Sequence, residues 1–478
     1  MNPEQEQKPG LSYWIFLIFT RLCLLSDRAP IFTVPRPNPR TRPRNFPTFP
    51  VLAVKTALEP EARKAHDSRD HSIPGTAMSP PTPLPGVTLE DLDRLSTRAA
   101  TVIERLRGRL YAPGTEKRLE IAFNVRSAAE MVGRTEKAIR DAEGDGRLPA
   151  PTKDPVTNRR TGYSLVEVNR MREVFGTLPH RAEGDPATVL AIQNFKGGVA
   201  KSTLATHLAQ YFALRGYRVC IVDCDSQAST TAIFGLNPDV DVDEQEDTLY
   251  PFLQHGGPKT LHYALRATYW PGIALIPANL GLYDAEYEFA ARMARDPEFV
   301  LDRLRDGIAS ISDQFDIVIL DPPPALGMIS LSVLRAANAL LIPAPPNNVD
   351  FGSTAHFLKM MGATLSEIAR HGGEREYAFV KILATKMNDQ KSAHVAIKRM
   401  MDAVFPSDML NATLKDSAEI DNATANLSTV YELTGAQIRT ETHKRCRVYL
   451  DAIGREVETL IRKTWPSHHA ALRKEGIL

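Results

Sequence analysis

The residues with the clearest chemical purpose form one run: Lys196, Gly197, Gly198, Val199, Ala200, Lys201, Ser202 and Thr203. An apolar stretch, TVLAIQNF, leads into it, and a helical pattern, STLATHLAQYFALRG, leads away. Glycines let consecutive backbone N–H groups turn toward one point, and the first turn of a helix adds its partial positive charge. The run therefore reads as an anion cradle. Lys201 would reach the outer phosphates of a nucleotide, and the Ser202 hydroxyl would ligate Mg²⁺. Two further segments carry carboxylates at the ends of apolar runs. RVCIVDCDSQAST (218–230) presents Asp223 and Asp225, and FDIVILDPPPALG (315–327) presents Asp321. Carboxylates at the carboxyl ends of parallel strands sit where ligands bind in open α/β sheets.

A strict GxxxxGK[ST] pattern is not met, because Phe195 and Ala200 stand where the two glycines would be. Lys196 followed by two glycines instead resembles the deviant Walker A motif of the ParA/MinD family, whose general form is KGGxxK[ST]. The resemblance extends over roughly residues 90–465 and includes IALIPANLGLYDAE, PAPPNNVDF, ATKMND and LKDSAEIDNATANLSTVYEL. It is closest in kind to the larger, helix-turn-helix-bearing ParA proteins, among them the RepA proteins of repABC replicons. It implies a slow ATPase that uses ATP and Mg²⁺ as a switch and forms a sandwich homodimer. Lys196 would then reach across to phosphates held by the partner. Asp225 would position the attacking water, Asp223 would support the Mg²⁺ shell, and Asp321 would match a Walker B carboxylate holding the metal through water. Segments 343–351 and 384–389 would lie near the adenine. A ParB-type centromere-binding partner would stimulate hydrolysis. The protein would be cytoplasmic and associated with the nucleoid.

The elements that must position these residues follow from the pattern. TVLAIQNF, RVCIVD, IALIPA, DIVILD, ALLIPA and FVKILAT are near-continuous aliphatic runs separated by helical sequence. Such runs form a parallel sheet covered on both faces. The fold class expected is α/β: a P-loop NTPase domain over 187–465 with a mainly parallel sheet. An all-α, winged helix-turn-helix domain over 116–180 should precede it. In VRSAAEMVGRTEKAIRDAEGDGRLP (125–149), Ser127 is expected to cap one helix, Gly133 to make the turn and Thr135 to cap the second. Glu136, Lys137 and Arg140 then face outward for the major groove, with Arg159 and Arg160 on a basic turn or wing. In the helical sequence after the phosphate loop, Leu204, Leu208, Tyr211 and Phe212 mark the buried face.

Residues 86–115 read as one amphipathic helix capped by Thr88, expected to pack on something, with self-association one option among several. Residues 1–85 hold 15 of the 35 prolines and little periodicity, so they are expected to be disordered or a mis-annotated extension, translation starting at Met78. The apolar run 11–25 is interrupted by Arg21 and short for a membrane span. Four cysteines are too scattered for a disulfide framework or a four-thiolate metal site. Lys and Arg total 58 against 57 Asp and Glu, which excludes coating DNA by bulk charge. Sequence-specific DNA binding would come from the helix-turn-helix. Non-specific binding would come from Lys444, Arg445 and Arg447 near the C-terminus, with Arg439 beside them. A MinD-like membrane ATPase is disfavoured because Pro466 breaks the tail and no apolar stripe persists. A reductase resembling the nitrogenase iron protein lacks its paired cysteines. A repressor with a nucleotide-sensing P-loop is the remaining alternative.

Overall fold

The computed structural model describes residues 88–110, 117–293, 295–372, 376–434 and 440–478. The Pro-rich stretch 1–85, the apolar run 11–25 and Arg439 lie outside the described residues. Helix α1 (Leu89–Leu110) begins as its sequence requires. The Thr88 amide donates to Asp91 Oδ2 at 3.0 Å, and the Asp91 amide donates to Thr88 Oγ1 at 3.2 Å. Its Leu92, Leu95, Val102 and Ile103 are exposed.

Three short helices follow: α2 (Val125–Val132), α3 (Glu136–Gly144) and α4 (Leu165–Phe175). The N-cap of α2 is Asn124 rather than Ser127. The Asn124 side chain accepts the Ser127 amide, so the helix starts one turn earlier than expected. Gly133, at φ 69°, ends α2 in the left-handed region, and Thr135 caps α3 by accepting the Ala138 amide. Ala128, Ala129, Val132, Ile139, Ala142, Val168 and Met171 form a small core among the three. Between α3 and α4 the chain folds back on itself, Lys153 bridging Arg160, and Tyr163 bridges back to Phe123 just ahead of α2.

The remaining chain builds one seven-stranded sheet from β1 (Thr188–Ile192), β2 (Val219–Asp223), β3 (Arg266–Ala267), β4 (Ile273–Ile276), β5 (Ile317–Asp321), β6 (Ala339–Ala344) and β7 (Phe379–Ala384). The order is β3-β4-β2-β5-β1-β6-β7, parallel throughout except for the two-residue edge strand β3. Every residue of β1, β2, β5 and β6 is buried. That burial is why these strands read as unbroken aliphatic runs. The β2–β5 register sets Asp223 directly opposite Asp321 at the carboxyl ends of neighbouring strands.

Helices cover both faces. In chain order they are α5 (Lys201–Arg215), α6 (Ser229–Ile233), α7 (Tyr250–Leu253), α8 (Leu282–Met293), α9 (Pro297–Ala309), α10 (Met328–Ala336), α11 (Asn348–Gly372), α12 (Ser392–Val404), α13 (Ala418–Ala425), α14 (Thr440–Lys463) and α15 (His469–Lys474). Helix α5 is buried on almost all sides, Thr206, His207 and Gln210 included, rather than along one stripe. The long helix α14 lies over its outer side, with Gly454 so close to the Tyr211 ring that a Cβ there would sit 2.4 Å from it. Glu458 of α14 accepts from Tyr211 and Tyr217 hydroxyls at 2.9 and 3.0 Å.

The three-helix unit is fastened to this sheet. Leu165 shares an apolar cluster with Leu190 and Phe212. The Arg172 guanidinium, 1% exposed, donates to Leu214 O at the end of α5 and to Met131 O at the end of α2. Two helix carboxyl ends thus share one buried cation. Lys117 donates to Ile233 O and Leu427 O and pairs with Glu432 at 2.8 Å. The tail returns to the connecting segment: Trp465 is fully buried, its indole N–H donating to Pro186 O.

Candidate nucleotide site

Strand β1 delivers the chain to the loop 193–200, and α5 begins at Lys201. The turn needs two residues in the left-handed region. Gly198, at φ 71°, adopts it freely, whereas Ala200, at φ 78°, does so against its Cβ. Ala200 therefore occupies the position where the common phosphate-loop pattern has glycine. Thr385, at the end of β7, props the loop by donating to Val199 O at 3.1 Å.

Lys201 is 7% exposed, and its Nζ lies 3.4 Å from Lys196 O. Burial lowers its pKa, while the Asp321 and Asp225 carboxylates work against that shift. A buried ammonium facing a cavity is stabilised when an anion arrives. Asp321 is fully buried, which pushes its pKa up to about 6; the Thr230 and Ser202 hydroxyls and Lys201 hold it from rising further. Its Oδ2 accepts from Thr230 Oγ1 at 2.7 Å. Its Oδ1 has no hydrogen-bond partner among the described residues. An orphaned carboxylate oxygen near the Ser202 hydroxyl, with Asp225 close by, suits a hydrated Mg²⁺, a hard cation that keeps several waters. Ser202 would supply a direct ligand, and Asp321 would hold a metal-bound water.

Asp223 is held differently. It is buried, and its pKa is raised well above the ordinary value by burial and by the facing Asp321. Both of its oxygens are spoken for: Oδ2 accepts the Thr231 amide at 2.9 Å and hydroxyl at 2.7 Å, and Oδ1 accepts the Asp225 amide at 3.2 Å. It shapes the loop that carries Asp225. Asp225 in turn accepts the Gln227 amide at 3.0 Å, and Ala228 closes the loop at φ 53°.

Lys201, Ser202 and Asp225 line a cavity of about 710 Å³, in the range of small-molecule sites. Gly198, Ala200, Lys201, Ser202, Thr203, Asp225 and Gln227 form one wall. Lys386, Leu414, Asp416, Ser417, Ile420 and Thr424 form the other. Lys386 belongs to the segment expected near the base. No residue of 343–351 is in the lining. That segment instead brings Asp350 into an ion pair with Lys196. The wall over 414–425 is a contribution that no short motif announces, since it depends on where α13 docks.

The family described as "AAA domain" matches residues 187–369. A protein provisionally named replication protein A from Rhizobium rhizogenes is 30% identical over 369 residues, covering 75% of this chain and 90% of the relative. A ParA family protein of Chlamydia muridarum (strain MoPn / Nigg) is 31% identical over 250 residues, covering 49% of this chain and 86% of the relative. The chain belongs to the ParA family. A solved structure titled "Partition Protein" shares the fold at TM-score 0.55 and 18% identity, spanning 78% of this chain and 98% of its own.

For a ParA protein, the remaining expected site residues fall outside the cavity. On the three-helix unit, Lys137 is exposed, and Arg140 is exposed but paired with Glu136 at 2.8 Å. Arg159 is exposed beside the turn at Asn158. Arg160 is tied to Glu143 at 2.8 Å and to the Tyr163 hydroxyl at 2.6 Å, so it fastens the fold-back to α3. On α14, Lys444 and Arg445 are exposed, whereas Arg447 lies 5.2 Å over the Tyr431 ring. Among the described residues no helix is long and apolar enough to cross a membrane.

Proposed function

We propose that this chain is an ATP-dependent partitioning ATPase that segregates a plasmid or second replicon. The observation that carries the reading is a nucleotide-sized cavity lined by Lys201, Ser202 and Asp225, with the orphaned oxygen of the buried Asp321 carboxylate close to Ser202 and Lys201. Loop amides, Lys201 and Ser202 would bind the triphosphate, and Asp225 would orient the attacking water. Bound Mg²⁺ would neutralise charge on the transferring phosphoryl group. Lys196, as the first lysine of a deviant Walker A motif, would complete the site of a second subunit in an ATP-bound sandwich homodimer.

The dimer would bind DNA without sequence preference through Lys444, Arg445 and Arg447. The three-helix unit would act as a helix-turn-helix, with Glu136, Lys137, Arg140 and Arg159 toward the major groove, to repress its own operon. Arg160 would act there through its hold on the wing. A ParB-type partner would trigger hydrolysis, and the protein would work in the cytoplasm on the nucleoid. Full burial of Trp465 weighs against a MinD-like membrane tail, because the one large aromatic of that segment is part of the core.

The test is binding to random-sequence DNA with ATP, ADP or no nucleotide over a salt series, for wild type and Lys196→Ala. Binding should require ATP, fall steeply with salt as phosphate contacts release counterions, and vanish in Lys196→Ala. Binding indifferent to nucleotide would overturn the reading in favour of a repressor with an idle P-loop.

A further inference from the structure

Three consecutive residues of the phosphate loop dock on one face of α11. Asn194 Nδ2 donates to Pro343 O at 2.9 Å and lies 3.5 Å from Thr354 Oγ1. The Phe195 ring meets Phe357 edge-on, centroids 4.7 Å apart. Lys196 forms its ion pair with Asp350. Positions 350, 354 and 357 follow helical spacing along a single face. Both members of the ion pair are held in place by their neighbours. The Lys196 amide donates to Asn194 Oδ1 at 3.0 Å. Asn347 Nδ2 donates to Asp350 Oδ2 at 2.6 Å, and the Asp350 amide donates to Asn347 Oδ1 at 2.9 Å. The two lysines of the loop therefore differ in kind: Lys201 lines the cavity, whereas Lys196 is outside the lining and neutralised within its own subunit.

We propose that Asp350 is a positioning residue that retains Lys196 in its own subunit and so sets the threshold for nucleotide-dependent dimerisation. This rests on the reading above that Lys196 serves phosphates bound by a second copy of this chain. A lysine committed to a partner's triphosphate must first leave Asp350. The ion pair is partly exposed, at 33% and 16% for the two side chains, so its hold is that of a modest surface pair, about threefold per contact. A symmetric dimer breaks two such contacts, and the combined effect on the dimerisation constant is about tenfold.

Dimerisation would be followed by sedimentation against protein concentration with a non-hydrolysable ATP analogue, for wild type, Lys196→Ala, Asp350→Asn, Asp350→Glu and the Lys196→Ala/Asp350→Asn double variant. Binding of a fluorescent ATP analogue to dilute monomer, and thermal melts, would run alongside. The expected result is a dimer about tenfold tighter for Asp350→Asn, with wild-type behaviour returned by Asp350→Glu. Monomer nucleotide affinity should change less than twofold, since Asp350 lies outside the cavity. In the double variant the gain should disappear, because Asp350 acts only through Lys196. If Lys196→Ala fails to dimerise while Asp350→Asn matches or falls below wild type, the Asp350 proposal is overturned and the trans-lysine reading stands. If Lys196→Ala dimerises like wild type, the trans-lysine reading itself falls, and the role of Asp350 with it.

Discussion

A methyl group at residue 200 sits where backbone geometry favours none. An L-residue in the left-handed region costs on the order of 1–2 kcal/mol, part of which glycine would give back as unfolded-chain entropy. Ala200→Gly, at φ 78°, should therefore raise the stability of the ligand-free protein by about 0.5–1 kcal/mol in urea unfolding; a fall in stability would show that the Cβ is making a needed contact. Asp321 supplies a second prediction. Its folded pKa of about 6 lies above the ordinary carboxylate value. Its contribution to stability is thus present at low pH and lost as pH rises through about 6. Asp321→Asn should stabilise the ligand-free protein at pH 8 by roughly 1–3 kcal/mol while abolishing Mg²⁺-dependent ATP hydrolysis, and the stability gain should vanish near pH 4. A variant equally stable at both pH values would show that the carboxylate is not strained. The identity of these residues was legible in the sequence, because strand-end carboxylates and a glycine-lysine loop are local patterns. Their states were not: the left-handed turn at Ala200 and the orphaned Asp321 oxygen depend on how neighbouring strands align.

Helix α5 shows the same limit one level up. Its Leu204, Leu208, Tyr211 and Phe212 do face the core, but the opposite side is covered as well, by α14 and by the segment 427–432. No periodicity reveals a covering helix more than 200 residues away in the chain. The polar residues of α5 are consequently buried and paired. Gln210 Nε2 donates to Glu432 at 2.8 Å, and His207 Nε2 accepts the Val430 amide at 3.2 Å. The other ring nitrogen, Nδ1, then carries the proton and donates to Thr203 O at 2.7 Å, within the first turn after the phosphate loop. Burial lowers the His207 pKa to about 4. For a histidine held neutral in the folded state, the stability contribution is complete above about pH 6.5 and is lost as pH falls toward 4. Denaturant unfolding between pH 7 and 4 should lose up to about 3 kcal/mol from this group, a slope that His207→Gln removes. An unchanged slope in that variant would assign the acid sensitivity elsewhere. The two-residue strand β3 was equally invisible, being too short to carry an alternation and fixed only by pairing with β4.

For the molecule as a whole, the question is whether the three-helix unit and the sheet melt together. Sequence alone divides them, because composition shifts and a connecting segment falls between 180 and 187. The contacts join them. Asp316 accepts the Arg181 and Arg218 amides at 3.0 and 2.8 Å, clasping the connecting segment to the sheet. Asp185 accepts the Ser467 amide at 3.1 Å, so the tail closes over the same segment. Arg172 carries the most consequential of these links. Burial lowers its pKa to about 10, so it is still charged at neutral pH, and it is held by the Met131 and Leu214 carbonyls at the ends of α2 and α5 and by Asn169 Oδ1 of its own helix. Removing it leaves two buried carbonyls without that donor and a void against Gly216, whose φ of 104° packs it onto the guanidinium. Arg172→Ala should cost on the order of 3 kcal/mol. The wild-type chain should unfold calorimetrically in one transition across both units, because they share the cluster around Leu165. In Arg172→Ala the three-helix unit should separate into an earlier transition of its own, while the ATP-bound sheet keeps most of its nucleotide-dependent rise in melting temperature. Two transitions already in the wild type would mean that these contacts do not couple the three-helix unit to the sheet.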